Sequence, residues 1–143
     1  METTGAVFAR DEVLAWAHDL YADAVDHKNA AGFAAAFTPD AWLRFGNAPP
    51  IEGRAAIEAA IAQFYTAFQT LRHKSKGNFL DGETLILEAE VTYLRHDGQQ
   101  VTVPAVTIFR LAGAAEQTTG HPLADQCRIY VDLTPLFAPS VAA

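Results

Sequence analysis

Two Asp-Gly dipeptides, Asp81-Gly82 and Asp97-Gly98, punctuate the second half of the chain and limit how it can fold. A type I′ turn needs positive φ at both central residues, and Asp-Gly meets that need, so each pair marks a hairpin between antiparallel strands. The flanking runs read as strands: His73 to Leu80, Glu83 to Leu94 and Val101 to Leu111. A last strand runs from Gln126 to Leu133, beyond a loop over Ala112 to Asp125 that contains Gly, Thr and Pro.

The first half carries a helical period instead. Val13, Leu14, Ala17, Leu20, Tyr21, Ala24 and Val25 form one apolar face over Asp11 to His27. Asp11 suits the N-cap. Asn29 caps a second, short helix through Phe37, which Pro39 ends. Ala41 to Pro50 reads as extended chain with a loop. After Gly53 a third helix shows Ile57, Ile61, Phe64, Phe68 and Leu71 as its stripe. Helices first and a strand meander second predict an α+β fold. Its three N-terminal helices pack on the concave face of a curved, mostly antiparallel sheet, and a pocket lies between them.

The 143 residues fit a single domain over residues 1–143. Half of them are hydrophobic and 19% are charged, enough apolar surface for a core without staples. The net charge of -7 and pI of about 5.0 argue against a nucleic-acid partner or an anionic membrane surface. The one cysteine, Cys127, reads as a small buried residue. No signal peptide or spanning segment is visible, so the expected location is the cytoplasm. No His/carboxylate spacing suits a metal, and neither metal nor other cofactor is expected. Apolar residues on both parities of the sheet, such as Val101, Val103, Ala105, Val106, Ile108 and Phe109, predict a homodimer through its outer face.

Five segments together resemble the SnoaL-like branch of the nuclear transport factor 2-like superfamily, which includes ketosteroid isomerases and limonene epoxide hydrolases. They are Tyr21-Ala-Asp-Ala-Val-Asp26, Pro49-Pro-Ile-Glu-Gly-Arg54, Leu71-Arg-His73, Tyr93-Leu-Arg-His-Asp-Gly98 and Arg128-Ile-Tyr-Val-Asp-Leu133. The resemblance implies a cone-shaped α+β fold but no single chemistry. Tyr21 matches the phenol by which the isomerases polarise a carbonyl. The isomerase base position falls on Phe45 and its second oxyanion donor on Pro104, so ordinary ketosteroid isomerisation is not implied. Against the epoxide hydrolases, Asp132 matches a catalytic carboxylate and Asn47 a water-holding residue, while the Arg-x-Asp motif falls on Glu90 and Thr92. The SnoaL-like cyclases place an aspartate in the pocket as general acid/base, and Asp132 suits that role.

The residues themselves leave alternatives open. Asp132 stands in an apolar strand, either as a pocket-facing acid/base or as a strand-end carboxylate capping the turn into Thr134-Pro135. With Asp81-Gly82 as a two-residue loop, His73 falls opposite Glu90, as a catalytic or ligand-contacting pair or as a surface ion pair. Tyr21 either donates into the pocket or packs in the core with its hydroxyl at the rim. Trp16, Phe45, Asn47 and Phe64 are candidate pocket walls. Arg128 and Tyr130 share the parity of Asp132, and Arg128 either steers an anionic ligand or faces water. The function expected from these readings is a cofactor-free isomerase, cyclase or hydrolase acting on an apolar carbonyl or polycyclic molecule. The alternative is a non-catalytic binding protein for a hydrophobic small ligand.

Overall fold

The computed structural model describes residues 8–113 and 120–140. Helix α1 (Arg10–Asp19) starts one residue ahead of the expected Asp11 cap, and the Glu12 carboxylate accepts from the Ala9 N–H at 3.0 Å. Val13, Ala17, Leu20 and Ala24 follow the helical period and are buried. A single π turn (Leu20–Ala24) and a 3-10 turn (Val25–His27) prolong α1, and Lys28 then reverses the chain at φ 57°.

Asn29 caps α2 (Ala30–Ala34) by accepting from the Gly32 N–H at 3.0 Å, as its side-chain chemistry predicts. The helix stops short of the expected Phe37, where strand β1 (Phe37–Phe45) begins instead. Pairing with the sheet outweighs helical propensity here. Pro39 is tolerated because it falls where the β1 register shifts, between Phe37 and Trp42. Phe33 and Phe37 still meet edge to face at 5.1 Å. Two residues of β2 (Ile51–Glu52) and Gly53, at φ 95°, lead into α3 (Arg54–Phe64).

The strands β3 (Thr70–Asp81), β4 (Thr84–Leu94), β5 (Gln100–Leu111) and β6 (Ala124–Val131) complete a six-stranded sheet of order β2-β1-β6-β5-β4-β3. The β1–β6 pair is parallel and the others are antiparallel. The helices cover the concave face. On that face β4 buries Leu85, Leu87, Val91 and Tyr93, and β5 buries Val103, Ala105, Thr107 and Phe109. A short helix, α4 (Thr134–Phe137), follows β6. The expected Ala112–Asp125 loop includes residues 114–119, which lie outside the described residues. No described helix is long and apolar enough to cross a membrane.

Burying Phe37, Phe68 and Phe109, each 0% exposed, stabilises the fold by roughly 1.5–3 kcal/mol apiece. Phe109 ties the layers together, touching Phe37 of β1 at 6.1 Å and the edge of Trp16 of α1 at 5.8 Å. Trp16 packs on Phe109 and borders an open groove with Glu12, Asp19 and Leu20, away from the two cavities between helices and sheet.

Candidate functional site

Between the first helical stretch and the sheet lies a cavity of about 270 Å³. Its lining mixes apolar Ala17, Ala22, Leu87, Ala89 and Ala105 with polar His18, Tyr21, Asp26, His73, Ser75, Asn78, Glu88 and Thr107. A second, inner cavity of about 50 Å³ adjoins it, walled largely by rings that include Phe45 and Phe64. Tyr21, His73, Ala105 and Thr107 border both.

His73 is held from two sides. Its ring Nδ1 lies 2.7 Å from Asp26 Oδ1, and its backbone N–H donates to Asp26 Oδ2 at 3.1 Å. The two side chains are 17% and 20% exposed, so water screens the contact weakly. With Nδ1 given to a carboxylate, Nε2 is the ring nitrogen left over; it makes no hydrogen bond among the described residues. The Tyr21 ring meets the imidazole edge-on, centroids 4.7 Å apart. Burial pushes the Tyr21 phenol far above its usual range, although a hydrogen bond with Thr107 pulls the other way. Tyr21 is thus a neutral donor at any working pH.

Local irregularity places these groups. Residues five apart on an α-helix point about 140° away from one another, so Asp26 would turn from the face of Tyr21. The π turn shifts the ladder, with the Val25 N–H donating to Leu20 O. Such one-turn insertions occur often at functional sites. Lys28 then locks the segment, donating to Phe68 O at 2.9 Å and Gln69 O at 3.1 Å.

Glu90 is not the partner of His73. The hairpin pairs Asp81 with Thr84, so its loop is Gly82–Glu83, one residue later than expected, and β3 is irregular between Ser75 and Gly77. The later loop moves the partner of His73 by two residues and keeps the face; the irregularity in β3 moves it by one and changes the parity. His73 faces Val91 across the sheet, while Glu90 sits on the outer face, opposite Lys74 and Pro104.

The expectation of a pocket-facing Asp132 is corrected in the same way. Cys127, Ile129 and Val131 of β6 turn to the helices, and Ile129 and Val131 wall the inner cavity. Arg128 and Tyr130 therefore face outward; Arg128 lies over the Trp42 ring at 5.6 Å and Tyr130 is 48% exposed. Asp132 lies just past the strand, exposed, and accepts from the Thr134 N–H at 2.9 Å. Those Thr134 bonds hold its carboxyl below the usual range. A depressed carboxylate stabilises the fold above its unfolded pKa, near 4, and the contribution is lost as pH falls through the folded value. Asp132→Asn is therefore expected to lower stability slightly at neutral pH, by an amount that fades as pH falls below about 4, and to leave ligand binding unchanged; loss of binding in a titration would contradict the placement. Asn47 is exposed in the turn after β1 and lines neither cavity.

The model of the SnoaL-like domain family matches residues 17–116. The chain belongs to the SnoaL-like family. The matched span contains Tyr21, Asp26, His73 and Thr107 and stops short of Asp132. No curated protein sequence matches the chain. Among solved structures it is similar to one classed as a SnoaL-like polyketide cyclase from Jannaschia sp. CCS1. They share 21% identity and a TM-score of 0.71, over 95% of this chain and 100% of that one. A nuclear transport factor 2-like protein of unknown function from Burkholderia pseudomallei gives a TM-score of 0.75 at 15% identity, over 90% and 98%. AclR from Streptomyces galilaeus, assigned as a hydroxylase, gives 0.70 at 17%, over 90% and 94%. These likenesses establish the SnoaL-like cone fold, on which assigned chemistries differ.

Asp26, Tyr65 and Tyr93 carried no role in the sequence reading. Asp26 lay in a matching segment, but its face depends on the π turn. Among the described residues no group of three or more His, Cys, Asp or Glu is arranged to hold a metal.

Proposed function

We propose that this SnoaL-like chain binds a small, uncharged carbonyl or polycyclic molecule in the 270 Å³ cavity and moves a proton on it. The observation that carries this reading is the 2.7 Å contact between His73 and Asp26 on the cavity wall. A carboxylate on Nδ1 fixes the tautomer and supports the imidazolium, so Nε2 takes a proton and returns it. The neutral Tyr21 phenol stabilises negative charge developing on a ligand oxygen. Among the described lining residues there is no lysine or arginine, so a carboxylate or phosphate ligand would meet no permanent cation. The likeness to a polyketide cyclase agrees with a carbonyl-bearing substrate.

The test is exchange of the α protons of α-tetralone in D2O, followed by NMR. His73 removes the proton from the α carbon, the electron pair moves to the carbonyl oxygen, and a solvent deuteron returns to carbon. Exchange no faster than in buffer would refute the catalytic reading. The exposure of Asp132 removes the family's carboxylate from the pocket, which favours a second reading as a binding protein; binding of α-tetralone without exchange would establish that one.

The proposed assembly is a homodimer through the outer sheet face. Val103, Ala105 and Phe109 are spent on the core, but Ile86, Val106 and Ile108 lie outward beside Tyr130. Light scattering at micromolar concentration is expected to give twice the chain mass; a monomer would rule the dimer out. The proposed location is the cytoplasm, where the buried thiol of Cys127 suits a reducing compartment.

A further inference from the structure

Two tyrosines are set into the ring-walled inner cavity, Tyr65 at 5% exposure and Tyr93 at 4%. Around them Phe64 meets Phe68 at 5.2 Å and Tyr93 at 6.3 Å, and Phe68 meets Tyr93 at 4.9 Å. The rings are thus fixed. Neither hydroxyl hydrogen-bonds to the protein among the described residues. Neither oxygen is sealed within the protein, so each hydroxyl borders open space, and both residues line the inner cavity. A polar group there takes a water or a ligand acceptor as its partner.

The chemistry of both groups agrees. Burial pushes the Tyr93 phenol up to about 12, and burial, then the charge of Asp26, push Tyr65 higher. Both therefore keep their protons and can donate. The cavity, at about 50 Å³, exceeds the volume of one water, roughly 30 Å³, by little. It admits a carbonyl group at the edge of a ring, and the rest of the ring stays in the outer cavity.

We propose that the inner cavity is an acceptor subsite, in which Tyr65 and Tyr93 donate to a ligand carbonyl oxygen that has entered past His73 and Thr107. The inference rests on the carbonyl ligand class proposed above. It adds the direction of binding, oxygen inward, and two donors beyond Tyr21. Oxygen-first entry brings the carbon next to the carbonyl beside His73, which borders both cavities. Donors fixed on that oxygen strengthen their bonds as it becomes an enolate.

The experiment uses the intact protein with α-tetralone and its hydrocarbon counterpart tetralin. The infrared carbonyl stretch of bound α-tetralone in the unaltered protein is expected below its position in hexane, which requires no variant. Tyr65→Phe and Tyr93→Phe keep the rings and are expected to weaken α-tetralone about three- to tenfold each. Tetralin affinity stays unchanged, and in the double variant the stretch moves back toward its hexane value. Unchanged affinity and stretch in the double variant overturn the subsite, yet leave the His73 reading intact if exchange persists. Failure of α-tetralone to bind the unaltered protein overturns both.

Discussion

Replacing His73 by glutamine is expected to slow α-proton exchange on α-tetralone by about 100- to 10,000-fold, the usual worth of a positioned acid/base. Glutamine fills similar space and can still donate toward Asp26, so the wall of the cavity survives. What disappears is the ring nitrogen that takes the proton in the proposed step. Affinity for α-tetralone should change little, because proton transfer concerns the transition state and not the bound ketone. Asp26→Asn is the milder change. Its side-chain oxygen can accept from only one of the two N–H groups that Asp26 now serves, at 2.7 and 3.1 Å, and it brings no charge to support the imidazolium. A fall of about 10- to 100-fold in kcat with KM held is expected, as for a positioning residue. Nitrogen NMR of the His73 ring supplies a readout that a purely structural role would not move. In the unaltered protein the proton of the neutral ring resides on Nδ1, whereas in Asp26→Asn it spreads over both nitrogens. A His73→Gln variant that exchanges α protons at the original rate would remove His73 from the mechanism.

The layers and most strands were legible because hydrophobic period and turn chemistry are local. The site was less so, because each of its elements depends on a one-residue displacement. A one-residue shift in a strand exchanges its faces. Counting from the Asp81-Gly82 turn pairs Glu90 with His73; the later loop moves that partner by two residues, and the Ser75–Gly77 irregularity by the one that exchanges the faces. Asp132 illustrates the opposite error. The alternation of Cys127, Ile129 and Val131 with Arg128 and Tyr130 already told which side of β6 faces the core. The family resemblance outweighed that plain pattern, and the pattern was right. Asp26 could not have been found from an α-helical wheel, which turns it away from Tyr21. Tyr65 and Tyr93 carry only the ordinary signature of core aromatics, and their unpaired hydroxyls are visible only once the cavity is built.

Replacing Arg95 by alanine is expected to destabilise the protein by about 2–4 kcal/mol, the largest effect of any polar substitution outside the site. Arg95 is 6% exposed, at the turn that joins β4 to β5. Its guanidinium binds Asp97 at both ends, Nε to Oδ1 at 3.2 Å and Nη2 to Oδ2 at 2.7 Å. It also donates to Pro135 O at 2.9 Å and Ala138 O at 2.7 Å. Those carbonyls belong to the segment that carries α4, whose Leu136 is 4% exposed. One side chain thus latches the last described segment to the sheet, and truncation strands two carbonyls, while Asp97 keeps the Gln99 N–H at 3.1 Å. At roughly 3–5 °C per kcal/mol for a chain of this size, Tm should fall by about 10 °C. Arg95→Lys keeps the charge but not the fork, so it should recover less than half of the loss. Acid sensitivity supplies a signature. The Gln99 N–H, and after it Arg95, hold Asp97 below the usual carboxylate range. That contribution is present above the unfolded pKa and is lost as pH falls through the lowered folded value. Arg95→Ala should therefore differ from the unaltered protein most at neutral pH and less as pH drops below about 4. Denaturant melts at both pH values measure this. A loss under 1 kcal/mol at neutral pH would show that the latch contributes no more than an exposed ion pair.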